Sequence, residues 1–425
     1  MKIAIVSHSD LAGGAARAAD RLHREFLAAG LDSRMHVSFK HSKSASVVEP
    51  ATRTGRAWSL LRPALAHAIQ GLQRSGDQNW RSLGLLPGFA DRRLLAEAPD
   101  VVNLHWIGDE TLSIGEVARL ARRRPLLWTL HDMWPFCGAE HYTDERATAR
   151  WRHGYPVSSR PSSQAGLDID RWTWSRKAAA WRDIPPIHLV APSRWMAACA
   201  AQSALMQNWP LTVIPNVLDL NKFRPMPRGT ARQILGLPID GPMLLFGSIG
   251  GNEANRKGWD LLSQSLANLA SAHPDVTCVI IGQDRPANPP DLGLPTRWLG
   301  MLHDDTSLAL AYAAVDVTVV SSRQDNLPQM ATEAQACGCP VVAFNTGGLS
   351  DAVEHLCTGY LAQPFDAGDL ANGIRWILAD TERGAGLGGA ARRRSERLWS
   401  ADVVVAQYLS AYRQAMDDFA RIAPR

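Results

Sequence analysis

DVTVVSSRQDNLPQMATEAQACGCPVVAFNTGGLSDAVE, residues 316–354, alternates short apolar runs with loops of polar and turn-forming residues. Val317 to Val320 and Val341 to Phe344 have the length and β-branched content of buried strands, and Gln329 to Ala336 between them reads as a helix. Ser321 to Pro328 is an irregular acidic loop. The Cys337-Gly338-Cys339-Pro340 turn stops the helix, and Gly347-Gly348 opens another. Strand, helix, strand in that order predicts a parallel α/β unit. In an open parallel sheet the carboxyl ends of the strands and the helix N-termini form the ligand crevice, which puts Asp325, Glu333, Gly347 and Gly348 where a small molecule binds. Taken singly, each of these residues equally suits a polar loop with a capping acid.

The same rhythm extends outward. Before the stretch, Gly241-Pro242 precedes a strand at Met243 to Phe246. The loop from Gly247 to Asn252 then leads through Arg256-Lys257-Gly258 into a helix over Trp259 to Ala272. Further strands are predicted at Thr277 to Ile281 and Arg297 to Gly300, with a helix at Thr306 to Val315. After it come an acidic turn from Asp366 to Asp369, a helix to Asp380, and a last helix from Asp402 to Ile422.

The first half starts with the apolar run Ile3 to Val6, then His8 to Gly14, then a helix from Ala15 to Ala29. Gly13-Gly14 lets backbone approach a ligand, and the helix N-terminus favours an anion there. The pattern is not G-x-G-x-x-G, so a dinucleotide cofactor is not indicated. Strands follow at Val101 to Trp106 and Leu126 to Leu130, with a helix from Ile114 to Arg123 between them. His131 closes the second strand and aims at the crevice. Asp132, Trp134 and Phe136 beside it suit sugar stacking or polar contact, against a purely structural role for the histidine. His105, one strand earlier, is read as packing. Asp168 to Trp181, with Trp172, Trp174 and Trp181, predicts a helix with an aromatic face. Strands at His188 to Ala191 and Leu211 to Ile214 complete the array, Ser193 capping the helix between them. The polar segment Val37 to Trp80, with a helix near Trp58 to Leu72, is read as an insertion or a mobile acceptor-side loop. Pro215 to Pro225 is the candidate linker.

Two strand-helix arrays in tandem predict an α/β protein of two Rossmann-like domains, residues 1–215 and 216–400, with a terminal helix over 401–425. The 425 residues, 46% hydrophobic and 20% charged, fit that count and exclude general disorder. A net charge of +4 is too mild for a nucleic-acid partner and compatible with anionic small molecules or a membrane surface. Ile3 to Val6 is too short for a signal or membrane core. The six cysteines show neither zinc pairs nor a disulfide scaffold. The expectation is a reduced cytoplasmic protein. The arginine clusters 122–124 and 392–394 are read as solvated helix faces. Arg122 to Arg124, with Arg53, Arg56 and Trp58, also form a basic and aromatic set suited to an anionic lipid surface, so peripheral association with the cytoplasmic membrane face is an expectation.

Asp325-x7-Glu333-Ala334, Ala336-Cys337-Gly338-Cys339-Pro340-Val341-Val342-Ala343, Gly347-Gly348, Lys257-Gly258 and Pro215-Asn216-Val217 together resemble the GT4 family of retaining glycosyltransferases. The likeness is to its exopolysaccharide and cell-surface glycan branch in particular. The resemblance implies the GT-B fold, two Rossmann-like domains across a cleft with the last helix crossing back to the first domain. It implies transfer of a sugar from a nucleotide-diphosphate sugar to a glycan or lipid-linked glycan acceptor. By position, Glu333 would bind the ribose, Asp325 the transferred sugar, and Lys257 the diphosphate, with Arg256 as a second cation. Gly13, Gly14, Gly347 and Gly348 would approach phosphates and sugar, and Asn326 and Leu327 of the Asn-Leu-Pro element complete the donor set. His131 matches the family's N-domain histidine near the sugar, so Lys257, Asp325 and His131 are the catalytic candidates. Two positions depart from the family pattern: Asp325 stands where Glu is usual, and Asn252 where an arginine is frequent. No Asp-x-Asp lies near the site, and fixed cations with helix N-termini stabilise a departing diphosphate, so metal independence and no resident cofactor are expected, with front-face retention. The alternatives are a nucleotide-sugar hydrolase or epimerase, which would call for further acid–base groups, and a catalytically silent nucleotide-sugar-binding subunit, against which the intact Lys257 and Glu333 speak.

Overall fold

A computed structural model describes residues 1–77, 79–247 and 255–422. The chain divides into two compact units, Met1–Val217 with Val404–Arg425, and Leu218–Val403. The first begins with β1 (Lys2–Ser9), α1 (Gly14–Ala28), β2 (Asp32–Phe39), β3 (Val47–Val48), α2 (Arg53–Gln70), β4 (Gln73–Arg74), α3 (Ala90–Glu97), β5 (Val101–Leu104), α4 (Ile114–Ala121) and β6 (Leu126–Thr129). It continues with α5 (Arg150–His153), β7 (Ala165–Gly166), α6 (Ile169–Ala180), β8 (His188–Ala191), α7 (Arg194–Ala201) and β9 (Leu211–Val213). Among the described residues its main sheet has seven parallel strands in the order β3-β2-β1-β5-β6-β8-β9. Every residue of β5, β6 and β8 is buried, as strands covered on both faces require. The chain runs outward from β1 to β3 and returns to β5, so the order reverses between β1 and β5.

The second unit holds α8 (Arg228–Ile234), β10 (Met243–Phe246), α9 (Trp259–Ala270), β11 (Thr277–Ile280), β12 (Thr296–Trp298), α10 (Asp305–Ala314), β13 (Val317–Val320), α11 (Gln329–Ala336) and β14 (Val341–Phe344). After these come α12 (Leu349–Ala352), β15 (Gly359–Ala362), α13 (Ala367–Leu378) and α14 (Thr381–Trp399). Its parallel sheet, β12-β11-β10-β13-β14-β15, reverses between β10 and β13. Apolar side chains pack on both faces of it, Leu245, Val279 and Val341 on one and Leu244, Cys278 and Val342 on the other. The last helix, α15 (Ala401–Ile422), belongs mainly to the first unit. Tyr412 accepts a hydrogen bond from Asn103 Nδ2 at 2.9 Å, and both Tyr408 and Tyr412 pack their rings on Phe26. Among the described residues no helix is long and apolar enough to cross a membrane.

Several expectations are corrected. Val37 to Trp80 is more than a mobile loop: it holds the end of β2, then β3, which joins the main sheet, α2, where a helix was expected, and β4. β2 escaped notice because polar residues alternate with Met35 and Val37 along it. α14 was foreseen only as a helix face at Arg392 to Arg394, because Gly384, Gly386, Gly388 and Gly389 argue against a helix before them. The structure gives one reason for them: a Cβ on Gly388 would lie 2.1 Å from the Gly338 carbonyl oxygen, so only glycine permits that approach. Of the arginines 392–394, read as a solvated helix face, only Arg393 is exposed. Arg392 donates to the carbonyls of Phe223 and Ala336, and Arg394 to those of Ala352 and Asp351, so they satisfy the C-terminal ends of α11 and α12. The boundary between the two units falls within the Pro215 to Pro225 junction, as a linker there requires, and Leu218 and Phe223 are buried in the second unit's core. The tryptophans of α6 divide between two faces. Trp172 turns outward under Arg176, whereas Trp174 stacks on Tyr155 and Trp181 meets Trp128 edge-on. The expected Ser248 to Asn252 loop, and Asn252 with it, lies outside the described residues.

Candidate functional site

In each sheet the loops at the strand-order reversal hold the chemistry-bearing residues, as expected of an open α/β sheet. In the second unit they follow β10, β13 and β14. Lys257, just before α9, places Nζ 2.6 Å from Asp325 Oδ2, and an Arg256 guanidinium nitrogen stands 3.8 Å from the same oxygen. Asp325 Oδ1 accepts the backbone N–H of Asn326 at 3.0 Å. Asp325 is buried, which alone would raise its pKa, but the charges of Lys257 and then Arg256 hold it below the ordinary carboxylate value. The two loops are tied by backbone: Arg323 N donates to the Arg256 carbonyl at 2.8 Å, and Ser321 Oγ to that of Lys257 at 2.9 Å. Arg323 also forms a double hydrogen bond to Asp260, both contacts at 2.6 Å.

The glycine pair closes this corner. Gly348 N donates to the Asp325 carbonyl at 2.9 Å. Gly347 has φ 55°, and a Cβ there would lie 2.7 Å from that same oxygen, so glycine is needed for the loop to reach Asp325. Glu333, on α11, is buried and accepts a hydrogen bond from Tyr312 on α10 at 2.8 Å. Lys257, Arg256, Asp325, Asn326, Gly347 and Gly348 are thus brought into one cluster. Leu327 instead packs into the apolar core on α11. Tyr312 was missed because nothing in its spacing marks it; only the packing of α10 on α11 reveals it.

In the first unit the corresponding loops follow β1, β5 and β6. Gly13, with φ 89°, precedes α1, and Gly14 opens it. His8 Nδ1 is 2.8 Å from Thr111 Oγ1, and its ring meets Trp106 edge-on. His131 Nε2 lies 2.8 Å from His105 Nδ1, the rings stacked with centroids 5.1 Å apart. Burial lowers His131 to about 4 against the opposing pull of Asp132, and drives His105 well below its usual value, so the pair is neutral at pH 7. His105 is therefore the hydrogen-bond partner of His131 and not mere packing. Asp132 accepts from Trp106 Nε1 and pairs with His141 Nδ1, each at 2.6 Å, while His141 Nε2 is 2.7 Å from Ser82 Oγ. Trp134 and Phe136, expected as stacking surfaces, are buried in the core, although Trp134 still lines the small cavity together with half-buried Trp106, His105, His131 and Asp132.

Below this layer the turn after Asp132 is clamped from beneath. Lys177 is fully buried, sits 3.7 Å from the Trp134 ring centroid, and donates to the carbonyls of Trp134, Cys137 and Gly138. Burial brings its pKa down to about 7. Among the described residues no group of three or more His, Cys, Asp or Glu side chains is placed to hold a metal ion.

The model described as Glycosyltransferase Family 4 matches residues 12–222, and that described as Glycosyl transferases group 1 matches residues 243–380. Together they support a family-4-type glycosyltransferase. Sucrose-phosphate synthase from Thermosynechococcus elongatus aligns with TM-score 0.66 at 21% identity, over 98% of this chain and 99% of that one. Anabaena HepE in complex with UDP and glucose aligns with TM-score 0.63 at 19% identity, over 97% and 100%. These likenesses establish the fold, two Rossmann-like parallel sheets of the GT-B type. Curated relatives include D-inositol 3-phosphate glycosyltransferases from Thermobispora bispora, 32% identical over 230 residues, 50% of this chain and 53% of that one. Another is from Catenulispora acidiphila, 35% identical over 223 residues, 49% and 51%. The chain spans about half the length of the curated relatives it matches.

Proposed function

We propose that this chain transfers a sugar from a nucleoside-diphosphate sugar, with uridine as the nucleoside, to a glycan or lipid-linked glycan acceptor. The observation that carries the reading is the Lys257–Asp325 pair at 2.6 Å, a cation and a carboxylate held side by side at a strand-order reversal. In this reading the diphosphate takes Lys257, assisted by Arg256, and the transferred sugar hydroxyls take Asp325. Glu333 accepts from the ribose hydroxyls. Gly347 and Gly348 leave backbone accessible to the sugar or phosphates. Negative charge grows on the leaving diphosphate as the glycosidic bond breaks, and fixed cations stabilise it without reorganising.

Uridine is supported by HepE, whose solved complexes contain UDP and UDP-glucose. Retention, metal independence and the cytoplasmic setting belong to the same proposal. A smaller acceptor is a second reading, favoured by the D-inositol 3-phosphate glycosyltransferases among the relatives. The test is calorimetry with UDP and GDP, followed by product analysis on a UDP-sugar panel with glycan, polyprenyl-phosphate and inositol phosphate acceptors. The expected result is selective UDP binding, chelator-insensitive transfer, and an α-linked product from an α-linked donor. Hydrolysis of every donor with no transfer would favour the hydrolase alternative. Absence of binding to both nucleotides would refute the donor assignment.

A further inference from the structure

α2 carries leucines on its outer face. Its inward positions include Ser59 and Arg62, both buried, whereas Leu60, Leu61 and Leu65 point away from the protein, Leu60 with 66% of its surface exposed. At 100° per residue these leucines, with Arg53, Ala57, Ala64 and Ala68, form one continuous outward stripe. The stripe runs on past the helix. Leu72 is 53% exposed, and its carbonyl accepts from the N–H of Leu167, itself 57% exposed. Isolated exposed leucines need no explanation, but three on one helix face, continued by Leu72 and Leu167, form an apolar patch.

Charge decides what covers it. From Ala51 to Gly76 the chain has four arginines and no acidic residue. Arg62 is used internally, on the Glu110 carbonyl, and Arg56 meets Glu49; Arg53 and Arg74 stand exposed at the two ends of the leucine stripe. An apolar face flanked by exposed cations matches an anionic bilayer, where leucines enter the acyl boundary and guanidiniums meet headgroup phosphates. A second copy of the same surface would set arginine against arginine.

We propose that α2 with the β4–β7 corner docks the protein on an anionic membrane surface. The geometry connects that surface to the first-unit site. Trp58 Nε1 donates to the Pro87 carbonyl at 2.8 Å, and Arg62 holds Glu110, whose carboxylate receives the N–H groups of Leu85 and Leu86. The inner face of α2 therefore rests on the loop that continues from Trp106 and Gly108 at the cavity edge. A bilayer against the outer face would bring a lipid-linked acceptor to that edge; only this last consequence depends on the transferase reading.

The test is flotation of the full chain with phosphatidylcholine vesicles containing about one-third phosphatidylglycerol. The wild type is expected to float at low salt and to bind less at high salt. Leu60→Glu with Leu65→Glu should cut the bound fraction roughly tenfold or more, with thermal midpoint and UDP response unchanged. Arg53→Glu with Arg74→Glu should weaken binding to anionic vesicles and flatten its salt dependence. No flotation of the wild type at low salt overturns the proposal. So does undiminished flotation of the leucine variant. A dimer in sedimentation that the leucine variant disperses, with no vesicle binding, would assign the face to a second copy. Failure to bind UDP would count against the transferase reading and leave flotation to decide the surface.

Discussion

Asp325→Asn separates the two partners of the proposed donor site, because the structure has them in contact. A diphosphate arriving at Lys257 must share the ammonium with a carboxylate 2.6 Å away. A phosphate oxygen on the far side of that ammonium would lie roughly 5 Å from the carboxylate, where two unit charges repel by about 3 kcal/mol at an effective dielectric of ~20 and by under ~1 in bulk water. The Lys257 side chain is 41% exposed. Screening therefore sets the value near the lower end, about 1 kcal/mol, or roughly fivefold in Kd. Asp325→Asn should thus tighten binding of free UDP several-fold while transfer falls, since the amide no longer accepts from sugar hydroxyls as a carboxylate does. Calorimetry with UDP and initial rates with the sugar donor read the two effects separately. If a folded Asp325→Asn protein loses UDP binding, or binds it more than tenfold weaker, the division of roles between Lys257 and Asp325 is wrong.

Lys257→Ala should lower kcat and kcat/KM together, by ~10²-fold or more, because the charge it meets grows in the transition state; steady-state kinetics check this. Glu333→Ala should chiefly raise the donor KM, by an amount worth roughly 1.5–3 kcal/mol, and Tyr312→Phe should raise it less, since only one of the hydrogen bonds that orient Glu333 is removed. His23 and His131, both held down to about 4 mainly by burial, tie stability to pH. Below about 6.5 the unfolded chain takes protons at these imidazoles while the folded chain resists until about 4, so their contribution is full above pH 6.5 and falls through that window, whereas Glu140, raised to about 8 chiefly by burial, acts in the opposite direction. Calorimetric melting from pH 7 to 4.5 should show a smaller acid-side loss of midpoint in His23→Gln than in the wild type; identical pH dependence of the two would contradict it.

What was legible in the chain follows from which forces act locally. β13, β14 and β10 are buried on both faces, so their apolar runs needed no partner to be read. β2 alternates, and in α14 Gly388 is required by a neighbour it meets only in the folded state, so local preference pointed elsewhere. Lys257 and Asp325 were joined beforehand only through a resemblance, their sequence separation of 68 being closed by the parallel pairing of β10 with β13. Nothing local distinguishes His105 from a core histidine; its meeting with His131 depends on β5 lying beside β6. Trp134 looked like a stacking surface by type and position, and its burial over Lys177 is set by α6, far along the chain.

The hydrogen bond from Asn103 to Tyr412 spans 309 positions. During synthesis the ribosome delivers β1 to β9 first, but Phe26, Asn103 and Thr129 meet Tyr408 and Tyr412 only once nearly everything else has been translated. Leu218–Val403 has no such debt within the first unit and can complete its own sheet while the earlier one still waits. The earlier-made unit is thus the later to be finished, with Phe26, Asn103 and Thr129 lacking their partners on the last helix for most of the time the polypeptide is being made.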